Sequence, residues 1–148
     1  MDPIQMLTDD HEKVKGLFRQ YEQATDPQQQ QQLAQTVFTE LQVHSVLEKE
    51  LFYPAVAQQG DAAEQALVDH SYHDHAVVEQ LIDRLKAMRA TDPQYDATFL
   101  ELRGNVLEHA QEEEERMFPD ARTELGDALA ALGDRMQARK QALATSLG

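Results

Sequence analysis

Apolar residues recur three and four apart along four stretches of the chain, the period of a helix that buries one face. Ile4, Leu7, Val14, Phe18 and Tyr21 mark the first stretch, and Val37, Leu41, Leu51 and Ala55 the second. Val68, Val78, Ile82 and Leu85 mark the third, and Phe99, Leu102 and Val106 the fourth. The punctuation agrees with the period. Asp2-Pro3, Asp26-Pro27 and Asp92-Pro93 each set a capping acid ahead of a proline at the first helical position, and Gly60-Asp61 reads as a stop followed by a start. The reading is a helix from about Pro3 to Ala24, a second from Pro27 to about Gln58, a third from Asp61 to about Ala90 and a fourth from Pro93 to about Ala121. A fifth, Thr123 to about Ser146, is rich in Ala and Leu but interrupted by Gly126 and Gly133. The glutamine run at 28–32 leads directly into a periodic segment and reads as the exposed first turns of the second helix. The expected architecture is all-α: an up-down-up-down four-helix bundle over about 3–121 with an extra C-terminal helix, in a single domain spanning 1–148.

Every one of the four apolar faces is broken by a histidine: His11, His44, His75 and His109. Two faces add a glutamate one turn later, Glu48 and Glu113. A lone histidine on such a face is usually a hydrogen-bonded core residue, but an ionised glutamate is almost never buried unless paired or metal-bound, because desolvating it costs several kcal/mol. No Lys or Arg occupies the neighbouring inward positions; Arg116, one turn past Glu113, could serve at most one of the two acids. Depth supports a common site. His11 lies roughly 12 Å into its helix and His44 roughly 15 Å from the adjoining end of its own, at 1.5 Å per residue, and the second half repeats the spacing, with 33 residues from His11 to His44 and 34 from His75 to His109.

The phrase "HSVLEKELFYP" from His44 to Pro54 returns as "HAQEEEERMFP" from His109 to Pro119, and "DHEKVKGL" at Asp10 is answered by "DHAVVEQL" at Asp74. The chain therefore reads as a duplicated helix pair with a pseudo-two-fold axis along the bundle. Each half brings two imidazoles and a carboxylate. Together they offer four nitrogens and two carboxylates without sulfur, a set suited to iron or manganese and acceptable to zinc, with room for a bridged pair of ions.

Composition narrows the setting. The chain has 148 residues and no cysteine, which excludes a disulfide framework, a thiolate metal site and a cysteine nucleophile. A formal charge of −14 repels phosphate backbones and anionic lipid, so nucleic acid and membrane are not expected partners. The start "MDPIQMLTDDHEK" is acidic, without a basic flank ahead of an apolar stretch, and no apolar run approaches membrane-spanning length; a soluble, cytoplasmic protein is expected.

The pattern H…H-x3-E…H…H-x3-E, with Asp-His opening each half, resembles the hemerythrin-like or HHE cation-binding domain over residues 1 to about 121. The resemblance implies a four-helix bundle holding a non-haem di-iron centre on His11, His44, Glu48, His75, His109 and Glu113. It separates the chain from ferritin-like bundles, whose motif runs Glu-x-x-His. One departure stands out. Hemerythrin proper has H-x3-H on its third helix and H-x4-D on its last, whereas here Ser71 stands four before His75 and Glu113 four after His109. Four histidines, two bridging carboxylates and a bridging oxo or hydroxo leave a position open at each iron, which suits two-electron peroxide chemistry better than reversible oxygen carriage. Three classes follow: an enzyme or scavenger acting on hydrogen peroxide, oxygen or nitric oxide in oxidative-stress protection; an oxygen-binding or iron-buffering module; and a redox or oxygen sensor relaying through the C-terminal helix.

Several neighbours invite a role. His70 and His73 lie about 140° and 200° around their helix from His75 and read as surface or supporting histidines, with His70 the first choice for a fifth ligand. Glu79 repeats H-x3-E with His75 but points off the apolar seam, and of the acids at 112–115 only Glu113 turns inward. Asp10 and Asp74 read as acceptors behind the ligands. Tyr21, Tyr53 and Tyr72 could gate the site or relay electrons, but each reads first as core packing.

Overall fold

The structure, a computed structural model, describes residues 1–147. Its elements are α1 (Pro3–Gln23), α2 (Pro27–Leu47), α3 (Tyr53–Gln59), α4 (Ala62–Lys86), α5 (Tyr95–Glu112), α6 (Phe118–Leu125) and α7 (Ala128–Leu147). Wide π-helical turns at Glu48–Phe52 and Glu113–Met117 join α2 to α3 and α5 to α6 without breaking the rods. Among the described residues there is no strand.

Three of the expected starts are capped as the sequence reads. Asp2 accepts from the Ile4 N–H at 3.0 Å, Asp26 from Gln28 at 3.3 Å and Asp61 from Glu64 at 3.0 Å. The fourth differs. Asp92 spends its side chain on the Gln94 N–H at 2.8 Å and its carbonyl on the Tyr95 N–H at 3.0 Å, closing a separate turn, so α5 starts at Tyr95 rather than Pro93. At the other end of that connection α4 stops at Lys86, short of the expected Ala90, as the Met88 N–H turns back to the Leu85 carbonyl. The fifth helix also starts later than expected. Gly126, at φ +49, adopts the left-handed backbone that separates α6 from α7. Gly133 does not interrupt α7; a Cβ there would lie 1.9 Å from the Met1 carbonyl oxygen, so glycine admits the chain's N-terminus against the helix.

α1 packs along α2 and α4 along α5, with α3 against α4 and α6, and α7 lies over α1 and α2. The core comes in two apolar layers. One holds Leu7, Leu47, Phe52, Val68, Met117 and Phe118 together with Leu132 and Met136 of α7; the other holds Val14, Phe18, Phe38, Ile82, Phe99 and Leu102. On every rod the candidate histidine lies between a residue of one layer and a residue of the other. The polar side chains are therefore sandwiched between two water-excluding slabs.

The recurring proline is explained by the wide turns. The Tyr53 N–H reaches the Glu48 carbonyl and the Phe118 N–H reaches the Glu113 carbonyl, each a five-residue bond. Pro54 and Pro119 follow at once; each lacks an N–H, and its ring would strike the carbonyl four residues back in a tight α-turn. Widening the turn admits the ring and keeps the rod continuous.

Candidate metal centre

All six candidate side chains meet between the layers. His11, His44, Glu48, His75 and Glu113 are buried, and the His109 side chain is 11% exposed. They form two triads, His11–His44–Glu113 and Glu48–His75–His109, the donor atoms of each within 4.8 Å of one another. Each triad takes its imidazoles from one half of the chain and its carboxylate from the other. Both acids also touch both triads. Glu48 Oε1 is 3.1 Å from His44 Nε2 and 3.0 Å from His75 Nε2, while Glu113 Oε1 is 3.2 Å from His11 Nε2 and its Oε2 is 3.4 Å from His109 Nε2. Neither half can assemble a triad alone.

A second ring of groups orients the imidazoles. With Nε2 turned inward, His44 Nδ1–H donates to Asp10 Oδ2 at 3.0 Å and His109 Nδ1–H to Asp74 Oδ2 at 3.1 Å, so each Asp-His phrase serves the histidine of the adjacent helix. His75 Nδ1 lies 2.8 Å from Ser45 Oγ, and His11 Nδ1 lies 3.5 Å from Glu114 Oε2.

The two halves differ at one chemically decisive place. Phe118 stacks on His11 with ring centres 5.9 Å apart, while its counterpart Tyr53 meets His75 edge-on at 5.5 Å. The Tyr53 hydroxyl donates to Glu113 Oε2 at 2.6 Å and lies 2.9 Å from His75 Nε2 and 3.1 Å from His109 Nε2. Reading Tyr53 as core packing alone is therefore corrected: its ring packs, but its oxygen sits among the donors of the second triad. The signal was available in the repeat, where tyrosine replaces phenylalanine directly before the shared proline.

Electrostatics call for a cation. Glu48 and Glu113 are 0% and 1% exposed, and among the described residues no Lys or Arg nitrogen lies within 4.0 Å of either; Arg116 is exposed. Among the described residues, buried His11 Nε2, His44 Nε2, Glu48 Oε2 and Glu113 Oε1 have no hydrogen-bond partner. His11 Nε2 and Glu113 Oε1 approach to 3.2 Å without completing a hydrogen bond, as two atoms aimed at a common third would. These donors fit a bound cation, since four orphaned buried polar atoms would otherwise cost several kcal/mol.

Without a metal, protons supply the positive charge. Burial opposes the charged form of His44, but the Glu48 carboxylate and the bond to Asp10 raise it to about 10. Burial likewise opposes that of His109, and Glu113 with Glu48 raises it to about 11. Glu48 itself is drawn well below its ordinary value despite burial, chiefly by His44. Metal ligation needs both imidazoles neutral. Loading the metal-free protein at pH 7 should therefore release about two protons per chain, seen as a buffer-dependent heat in titration calorimetry; a heat independent of buffer ionisation would show that the imidazoles are not displaced.

A cavity of about 340 Å³ reaches the four histidines from the side of the second apolar layer, past Val14, Val78 and Ile82. The exposed pair Lys49–Glu79, 2.7 Å apart, stands at its rim, so Glu79 is a surface group. His70 and His73 are exposed and outside both triads, and Tyr72 is a surface ring edge-on to Tyr53 at 5.3 Å.

Comparison with known proteins agrees with this geometry. Residues 2–121 match the family model of the hemerythrin HHE cation binding domain. An uncharacterised protein of Mycobacterium tuberculosis is 30% identical over 146 residues, 97% of this chain and 88% of that protein. A DNA nickase of Nostoc sp. is 29% identical over 117 residues, 78% of this chain but 32% of the nickase, so the chain spans about a third of that relative's length. The crystal structure of a hemerythrin HHE cation binding domain-containing protein from Mycobacterium kansasii superposes with a TM-score of 0.85 at 26% identity, covering 99% of this chain and 89% of that one. Among the described residues no helix is long and apolar enough to cross a membrane.

Proposed function

The chain belongs to the hemerythrin HHE cation binding domain family, and from that premise we propose that it holds two iron ions on His11, His44, Glu48, His75, His109 and Glu113 and acts on a small oxidant, hydrogen peroxide first. The observation that carries the reading is the pair of triads tied together by two carboxylates that each touch both. An iron pair supplies a two-electron couple in a site shielded from water. The donor set excludes sulfur, and nitrogen with carboxylate oxygen suits iron, manganese or zinc in that order of preference here.

Disproportionation needs protons as well as electrons. One peroxide takes up two electrons and two protons to give two waters, while another gives up two electrons and two protons to give oxygen. Tyr53 can keep a proton at the site. Burial, with the charges of Glu48 and Glu113, holds its phenol well above its ordinary range, so it stays protonated at neutral pH, and its 2.6 Å bond to Glu113 Oε2 fixes it as a hydrogen-bond donor for negative charge that develops on a bound oxidant. The cavity supplies access: its volume of about 340 Å³ admits peroxide, oxygen or nitric oxide. No nucleic-acid role is carried over from the Nostoc nickase, since a formal charge of −14 repels a phosphate backbone.

The test is oxygen release from peroxide by desalted, iron-loaded protein. One oxygen should appear for every two peroxides consumed, His75→Ala or His109→Ala should abolish turnover, and Tyr53→Phe should slow it by roughly 10²-fold with iron content unchanged. A reduced protein that binds oxygen reversibly and leaves peroxide untouched would replace this reading with oxygen carriage.

A further inference from the structure

His70 is the histidine that the core leaves out, and its surroundings are specific. Its Nε2 lies 3.5 Å from Asp74 Oδ2, one turn along α4, and 3.6 Å from Glu112 Oε2 on α5. Good N–H···O hydrogen bonds are shorter. These spacings instead approach the separation of about 3.4 Å between donors arranged tetrahedrally around an ion at zinc-like bond lengths. The three donors lie within 4.8 Å of one another, and among the described residues no Lys or Arg nitrogen comes within 4.0 Å of Asp74 or Glu112.

The pseudo-symmetry supplies an independent argument. Asp10 and Asp74 hold the same place in the two halves, each accepting from a core histidine. In the first half α7 covers this place and delivers a cation, with Lys140 Nζ 2.7 Å from Asp10 Oδ1. In the second half the place is open: the His70 side chain is 54% exposed and those of Asp74 and Glu112 are 25% and 26% exposed. Where the first half carries an ammonium, the second presents an imidazole and a further carboxylate.

We infer that His70, Asp74 and Glu112 form a third, peripheral site for a divalent transition-metal ion, the counterpart of the Lys140 ammonium. Two carboxylates and a neutral imidazole balance the charge of a divalent ion, and solvent completes its coordination. The site rests on its own residues, but it touches the core reading at one atom, because Asp74 Oδ2 also holds His109 Nδ1–H at 3.1 Å. An ion bound there would sit one carboxylate away from the second triad.

The experiment is equilibrium dialysis of the iron-loaded protein against zinc, with zinc and iron counted in the same sample. One saturable zinc per chain beyond the core complement is expected, with affinity reduced at least tenfold in both His70→Ala and Glu112→Gln while iron content stays at the wild-type level. These side chains are partly or largely exposed, so the variants should fold, and circular dichroism checks this. No saturable zinc, or equal zinc binding by wild type and both variants, would overturn the inference. A chain that fails to hold iron yet shows zinc binding sensitive to His70 would count against the di-iron reading and for the peripheral site, so the two failures are separable.

Discussion

Glu48→Ala should leave the purified protein without the proposed metal pair, and Glu113→Ala should do the same. Each acid reaches both triads, Glu48 at 3.1 and 3.0 Å from His44 and His75 and Glu113 at 3.2 and 3.4 Å from His11 and His109. One truncation thus strips a donor from both halves of the site. Losing even an outer partner of a ligand typically costs 10–100-fold in affinity, so losing a shared ligand should cost more than about 100-fold. Glu112→Ala is the internal control for core iron alone, which it should leave in place, because Glu112 is adjacent in sequence but faces His70 at 3.6 Å in the peripheral cluster rather than the core. Metal analysis of the three variants decides the matter. A Glu48→Ala protein that keeps its full metal complement would remove the bridging assignment.

Chelation should cost the protein much of its thermal stability. A ligand at 1,000 times its dissociation constant contributes about 4 kcal/mol, and 1 kcal/mol shifts the midpoint by about 2–4 °C in a chain of this size, so a fall of roughly 10 °C or more is expected. The pH dependence of the chelated form follows from its charges. His44 and His109, raised from 6.5 to about 10 and about 11, contribute stability that is fully present below pH 6.5 and lost as pH rises through those values. Glu48, drawn well below 4.5, contributes stability that is present above that value and lost as pH falls through its own lowered range. The chelated protein should therefore be most stable between these limits, and its deficit relative to the loaded form should shrink toward acid pH as protons compete with metal. Scanning calorimetry across pH measures both. Coincident melting curves with and without chelator would mean that the six side chains do not hold a metal.

The bundle and the six candidate side chains were legible because the helical period is regular and the departures from it are chemically expensive. An acid on an otherwise apolar face, four residues after a histidine, has few explanations. The exchange of carboxylates between halves was not legible, since it depends on how the rods cross and where long side chains turn. Tyr53 was underestimated for a related reason: an aromatic residue beside apolar neighbours carries the same periodic signal whether its hydroxyl is idle or engaged. The start of α5 was misplaced because Asp92-Pro93 resembles a helix cap, while the Asp92 side chain in fact closes a turn one step earlier. The proline of the repeated phrase was visible, but the wide turn it requires leaves no mark in a 3.6-residue period.

The two wide turns also determine which mutations the site can survive. Between Glu48 and Pro54, and between Glu113 and Pro119, the number of residues matters more than their identity. A substitution at an exposed position such as Glu115 should shift stability by no more than about 0.5 kcal/mol. Removing one residue from either segment would close the wide turn to a regular one and drive the Pro54 or Pro119 ring against the carbonyl four residues back, which costs about 3 kcal/mol or kinks the rod. In the first rod that kink would carry Tyr53 off its three partners, and in the second it would take Phe118 off His11. Insertions and deletions, usually tolerated at loops, should here be selected against inside continuous helices, so sequence drift in this lineage is expected to change the letters of these segments while keeping their length.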